Sequence, residues 1–87
     1  IEEFADTVTA AFEDIIRANG GRTVVAFCHG MVTMQFLRRT LHYPDVHALR
    51  TDYASISRVQ ASTSKGVRSV RSVNETAHLG ETRIVSP

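Results

Sequence analysis

The sequence predicts an α/β protein with a parallel sheet, and three neighbouring features support this. Residues 1–18 have the apolar spacing of an amphipathic helix, and Gly20 and Gly21 end that helix. The apolar run 23–28 follows and leads directly into a second helical pattern. The run lacks polar alternation, which is typical of a strand buried on both faces of a parallel sheet. We therefore expect the second half of a βαβ unit, with residues 1–87 forming part of a single domain.

The first helix is predicted because its apolar side chains recur at i, i+3 and i+4 and acidic residues fill the opposite face. Asn19 and the two glycines provide the stop, since glycine adopts the left-handed cap conformation without steric cost. Ile1 starts directly on the helical pattern, and we expect it to be a cut point inside a larger protein. The apolar positions of the helix are Ile1, Phe4, Val8, Ala11, Phe12, Ile15 and Ile16.

The second helix and the hairpin are predicted from the spacing of apolar residues and from the turn residues between them. A second helix is expected because apolar residues dominate the pattern until Pro44, which cannot continue a helix. Two β-prone runs around a polar, glycine-containing turn predict a hairpin. The expected ranges are 30–42 for the helix, 45–51 for a helical turn or loop, 53–61 and 67–74 for the strands, and 62–66 for their turn.

Composition limits the functional classes. With 43% hydrophobic residues and a net charge of +1, the chain is typical of a soluble globular domain, and no apolar run is long enough to span a membrane. The basic residues are scattered without interleaved aromatic residues, so we expect no nucleic-acid partner. The lone cysteine, Cys28, excludes an internal disulfide and fits a cytoplasmic location.

His29 and Gly30 are the main candidate site residues, because they stand where the predicted strand meets the second helix. Anions bind at such junctions, where the first helix amides, including that of Met31, have no helical partner. Gly30 has no side chain to block a ligand's approach. The alternative is a histidine that ends a core strand and hydrogen bonds to backbone.

Other polar residues form weaker candidates. Cys28 should point to the opposite face of the strand from His29 and act as a small buried residue. Arg38 and Arg39 are expected on a solvated helix face. Ser55 and Ser57 lack the context of a nucleophile. The remaining histidines complete no metal-ligand set and are expected to be surface or packing residues: His42, His47 and His78.

Three segments carry a family resemblance. The acidic helix runs through Gly-Gly into residues 23–30, residues 52–57 read Asp-Tyr-Ala-Ser-Ile-Ser, and residues 73–79 read Val-Asn-Glu-Thr-Ala-His-Leu. In order and spacing these resemble the carboxyl-terminal half of the histidine phosphatase superfamily, the phosphoglycerate mutase-like proteins. Tyr53 stands where asparagine is usual in that family.

The resemblance implies a three-layer sandwich with a mostly parallel central sheet. It also implies a phosphatase or phosphomutase that acts on small phosphoesters through a phosphohistidine, without metal or cofactor. His29 would be the second, phosphate-binding histidine, with Gly30 and Met31 at the substrate. The expected partners are a small phosphorylated substrate and the amino-terminal half of the same domain, with a homo-oligomer possible.

The departures from the family pattern are equally informative. The family's nucleophile lies in an Arg-His-Gly motif, whereas Cys28 precedes the single His-Gly pair of this sequence. We therefore expect residues 1–87 alone to be inactive. The alternative is a non-catalytic, histidine phosphatase-like module that binds anions or a partner. An unrelated flavodoxin-like domain would require a glycine-rich phosphate loop, which is not visible.

Overall fold

Two α-helices and an antiparallel hairpin form the part of the chain that the structure, a computed structural model, describes (residues 1–45 and 47–82). Most of the predicted elements are confirmed in type and approximate position. The elements in chain order are α1 (Glu2–Ala18), α2 (Gly30–Thr40), β1 (Ile56–Ala61), β2 (Arg68–Glu75) and a 3-10 helix (Ala77–Thr82).

The end of α1 follows the predicted glycine stop. The Asn19 side chain donates to the Ile15 carbonyl at 2.8 Å, and its backbone N–H donates to Ile16 at 3.2 Å. Gly21 has a φ of 75°, a left-handed conformation that side chains rarely adopt. The chain therefore leaves α1 with the carbonyls of Ile15 and Ile16 hydrogen bonded.

The core lies between α1 and α2. The rings of Phe12 and Phe36 stack with centroids 4.4 Å apart, and Leu37 is fully buried beside them. Ala5 and Val8 contribute the buried face of α1. Of the predicted apolar stripe, Val8 and Phe12 pack toward α2, whereas Ile1, Phe4 and Ile15 remain exposed. Apolar burial is the main stabilising contribution to the contact between the helices.

Arg38 is buried, contrary to the solvated position predicted for it. Only 2% of the residue is exposed, and its guanidinium bonds Glu2 Oε1 at 2.7 Å, Gln35 Oε1 at 2.9 Å and the Tyr43 carbonyl at 3.1 Å. Hydrogen bonds from Arg39, and then from Arg38, lower the pKa of Glu2. The prediction for Arg38 was wrong because α1 packs over this face of α2 and brings a carboxylate to it.

The hairpin forms as predicted, but β1 begins later than the pattern indicated. Tyr53 and Ala54 occupy a turn, and the antiparallel register pairs Val59 with Val70. The turn is closed by the Ser62 N–H, which donates to Val67 at 2.9 Å. Arg68 of β2 bonds Glu13 of α1 at 2.5 Å, which ties the hairpin to the helix pair.

The predicted buried strand 23–28 is wrong for the described residues. This segment, which we call the 23–28 segment, joins no ladder, and Val25 and Phe27 are 73% and 95% exposed. A strand needs a partner for its backbone groups, and β1 and β2 pair with each other. Cys28 is likewise exposed instead of buried, with its sulfur 3.2 Å from Thr33 Oγ1. The mixture of helix and strand is confirmed, and the strands described here are antiparallel.

The two phenylalanines at opposite extremes of exposure give the first prediction. Phe36→Ala removes a ring that is 6% exposed and should lower the free energy of unfolding by about 3–5 kcal/mol. Phe27→Ala changes a ring that already faces solvent, and at concentrations where both proteins are monomeric its unfolding free energy should stay within about 0.5 kcal/mol of that of the parent protein. Urea unfolding followed by circular dichroism measures both. Equal losses would mean that Phe27 is buried and that the 23–28 segment is part of the core.

Candidate functional site

His29 is the residue that begins α2. Its backbone is extended (φ −72°, ψ 154°), and its carbonyl accepts the N–H groups of Val32 and Thr33 at 3.0 and 3.2 Å. Its exposed imidazole makes no capping hydrogen bond. The ring is therefore available at the helix N-terminus, where the helix dipole favours negative charge.

The first two amides of α2 belong to Gly30 and Met31. The intrahelical bonds to the His29 carbonyl start at Val32, so these two N–H groups are the unpaired donors that every helix N-terminus leaves. Met31 is 37% exposed, and its sulfur accepts a hydrogen bond from Gln35 at 3.4 Å. Together with the imidazole of His29, the amides form a set of donors suited to an oxyanion.

Gly30 is in close contact with Thr51, which comes from the loop before β1. A Cβ atom at position 30 would lie 3.1 Å from Thr51 Oγ1, closer than ordinary van der Waals contact. Thr51 is 2% exposed, and its hydroxyl oxygen has no hydrogen-bond partner. The absence of a side chain at Gly30 thus lets the loop approach the start of α2.

The start of α2 lies in an open groove of about 880 Å³. The 23–28 segment borders it, apolar side chains of both helices and β1 line it, and the loop of residues 51–55 (the 51–55 loop) adds polar groups. The residues that line this groove include Thr33, Thr51, Asp52, Tyr53, Ser55 and His78.

The sequence analysis missed the contribution of the 51–55 loop and of His78. His78 Nε2 lies 2.7 Å from the Ala54 carbonyl oxygen, so this histidine is linked to the loop that borders the groove. Residues 52–55 and His78 fall inside two of the three motif segments, which was the available signal. Their residue types alone gave no indication that they line the same groove as His29.

The other polar candidates lie in different environments. Ser57 Oγ accepts the N–H of Asn74 at 3.1 Å, which is a structural contact. His42 borders a separate cleft beside Arg39 and Arg68, and His47 is exposed on a loop. Within residues 1–45 and 47–82, no three His, Cys, Asp or Glu residues converge as a metal site. None of the helices described is both long and apolar enough to cross a bilayer.

The donors at His29 and Gly30 can stabilise negative charge, which is what phosphoryl transfer requires of its binding groups. Charge accumulates on the equatorial oxygens of the transferred phosphoryl group, and fixed N–H donors lower the free energy of that state. The arrangement supplies binding and charge stabilisation rather than a nucleophile paired with a base.

The contact between Gly30 and Thr51 gives a second prediction, tested by a double-mutant cycle. Alanine favours a helix over glycine by up to about 1 kcal/mol, but in Gly30→Ala the new Cβ must displace the Thr51 hydroxyl. In a Thr51→Ala background that obstacle is gone. The two changes should therefore couple by about 0.5–2 kcal/mol in unfolding free energy.

Gly20→Ala serves as the matched control for this cycle, because its Cβ would meet Thr63 Oγ1 at an ordinary 3.6 Å. No coupling with Thr51→Ala is expected there. Strict additivity of Gly30→Ala and Thr51→Ala would show that the loop does not contact the start of α2.

Comparison with known families agrees with the order of elements around this site. A family model described as histidine phosphatase superfamily (branch 1) matches residues 1–76, a range that includes α1, His29, α2 and both strands. Searches of curated proteins and of solved structures give no significant match. Because the model covers most of the sequence, the chain belongs to the histidine phosphatase superfamily.

Proposed function

We propose that this chain is the carboxyl-terminal part of a phosphatase or phosphomutase domain that acts on small phosphoesters through a phosphohistidine. In this proposal His29 is the second histidine of the site and binds the phosphoryl group. The observation that carries it is the exposed imidazole of His29 at the start of α2, next to the unpaired amides of Gly30 and Met31. Family membership supports the reaction class.

In the proposed mechanism, the amino-terminal half of the domain supplies the nucleophile, and the donors of this chain bind the phosphoryl group. A nucleophilic histidine from the amino-terminal half attacks phosphorus, and the ester oxygen leaves with a proton from a general acid. Water then attacks the phosphohistidine and releases phosphate; in a mutase an acceptor hydroxyl takes the place of water. His29 and the α2 amides hold the phosphoryl oxygens in both steps. The reducing environment that suits the free thiol of Cys28 supports a cytoplasmic location.

A non-catalytic module is the second candidate. The observation that favours it is the Cys28-His29-Gly30 sequence, since no Arg-His-Gly occurs in the 87 residues. Such a module would bind an anion through the same donors without turning it over. Activity of the whole domain, rather than phosphate affinity, separates the two candidates.

The exposure of the 23–28 segment suggests that a binding partner covers it. Val25 and Phe27 present apolar side chains to solvent, and the segment's backbone joins no strand among the described residues. Apolar groups in this arrangement are typical of an interaction site. We propose that β-structure from the amino-terminal half of the domain pairs with the segment, and that a second copy of the chain takes that place when this half is missing.

The partner proposal predicts that residues 1–87 alone self-associate. Phe27→Glu places a charge on the 95% exposed ring position and should shift the population toward monomer by tenfold or more in dissociation constant. Tyr43→Glu, a matched change at a 48% exposed position outside the segment, should not. Analytical ultracentrifugation over a concentration series measures both. A chain that is monomeric throughout would contradict self-association.

The phosphate-binding role predicts a specific histidine response. Titration with inorganic phosphate should shift the imidazole NMR signals of His29 more than those of the other three histidines, and His29→Ala should weaken binding by about tenfold or more. His47→Ala, which changes another exposed histidine, should leave the affinity unchanged.

Activity assays complete this test. Residues 1–87 alone should bind phosphate but show no turnover of p-nitrophenyl phosphate, because donors do not replace a nucleophile. Turnover by this segment that disappears in His29→Ala would contradict the assignment and make His29 itself the nucleophile. Phosphate binding that is indifferent to His29→Ala would remove the proposed site altogether.

A further inference from the structure

We infer that Asn74 and His78 are positioning residues that hold the 51–55 loop against the start of α2, so that the loop forms a fixed wall of the His29 site. The inference rests on the proposed function of that site and extends it to residues that do not touch the phosphoryl group. Neither side chain is assigned a role by the family match, and His78 lies beyond the matched range, 1–76.

Asn74 fixes the first half of the loop. Its Oδ1 accepts the backbone N–H of Asp52 at 2.7 Å, and its Nδ2 donates to Asp52 Oδ2 at 3.3 Å. Its own N–H donates to Ser57 Oγ at 3.1 Å. Asn74 has a φ of 60°, in the left-handed region that asparagine tolerates better than most residues. The left-handed backbone at the end of β2 therefore places the amide side chain of Asn74 against Asp52 of the loop.

His78 fixes the second half. The Ala54 carbonyl, 2.7 Å from His78 Nε2, can only accept a hydrogen bond, so Nε2 carries the proton and donates. Ala54 has a φ of 57°, a conformation that alanine rarely adopts without support from its surroundings. The hydrogen bond from His78 acts on this residue directly, and both the neutral Nε2–H tautomer and the imidazolium can make it.

The loop matters to the site through the residues at its start and centre. Thr51 packs on Gly30, the first residue of α2, and Tyr53 lines the groove with half of its surface exposed. If the bond to Ala54 is lost, the loop is free to leave its left-handed turn. Thr51 then loses its fixed position beside Gly30, whose amide is one of the proposed phosphate donors. His78 thus acts on the anion site through Ala54 and Thr51.

The experiment compares two substitutions of His78 in the same chain. His78→Gln keeps an N–H donor close to the position of Nε2, whereas His78→Leu removes the donor at similar size. His47→Leu is the matched control, since His47 is exposed on a loop outside the groove lining. Asn74→Asp is a further variant: it keeps an acceptor for the Asp52 N–H but replaces the amide donor that faces the Asp52 carboxylate.

Two readouts separate loop position from ligand binding. A strong intraresidue amide-to-Hα NMR contact at Ala54 reports its left-handed backbone. In a Tyr43→Phe background Tyr53 is the sole tyrosine, because the sequence has two tyrosines and no tryptophan, and its selectively excited emission reports the loop centre. The dissociation constant for inorganic phosphate, read at His29, reports the site.

The expected result is that His78→Leu and Asn74→Asp change both loop signals and weaken phosphate binding by roughly 2- to 10-fold, the range of one lost hydrogen bond. His78→Gln should restore both readouts, and His47→Leu should change neither. An unaltered Ala54 signal in His78→Leu would overturn the positioning role. Altered loop signals with unchanged phosphate affinity would overturn the link to the site. If the parent chain binds no phosphate while the loop signals respond as expected, the proposed function fails and the positioning of the loop stands.

Discussion

The packing of α2 against α1 is the contact on which the rest of the structure depends. The stacked rings of Phe12 and Phe36 fix the middle of α2, and the ion pair between the buried Arg38 and the exposed Glu2 fixes its C-terminal half. A buried guanidinium is tolerated only because Gln35, Glu2 and the Tyr43 carbonyl satisfy it. The start of the helix is then left facing the groove, with its donors in a defined direction. The proposed anion site is therefore supported from the other end of the same helix.

This arrangement separates stability from binding. The residues that anchor α2 are buried and apolar, or paired, whereas His29 is exposed and makes no capping bond. A short polar side chain at position 29, the N-cap of α2, would have capped the helix and satisfied one of its amides. Histidine at this position leaves those amides open. The helix gives up that capping bond, and the amides stay available for an anion.

The sequence predicted the helices and the hairpin because their signals are local. The period of α1, the glycines after it and the polar turn of the hairpin each act within a few residues. The 23–28 segment was predicted incorrectly because a buried strand is defined by its neighbours, and neither β1 nor β2 pairs with it. Arg38 was misplaced for a related reason. Whether an arginine on a helix is solvated depends on what packs over it, here Glu2 from the far end of the preceding helix.

The candidate site shows the same division between local and long-range information. His29 and Gly30 were predicted as site residues because a strand-like run, a histidine and a helix start are adjacent in sequence. Asn74 and His78 were not recognised, because their contacts, Asp52 and Ala54, are far away along the chain. On residue type alone a histidine bordering the groove would be interpreted as a second catalytic group. Its short bond to a backbone carbonyl argues instead for the proposed positioning role. Because the proton on Nε2 is already engaged by the Ala54 carbonyl, the proposed anion donors remain His29 and the amides of α2.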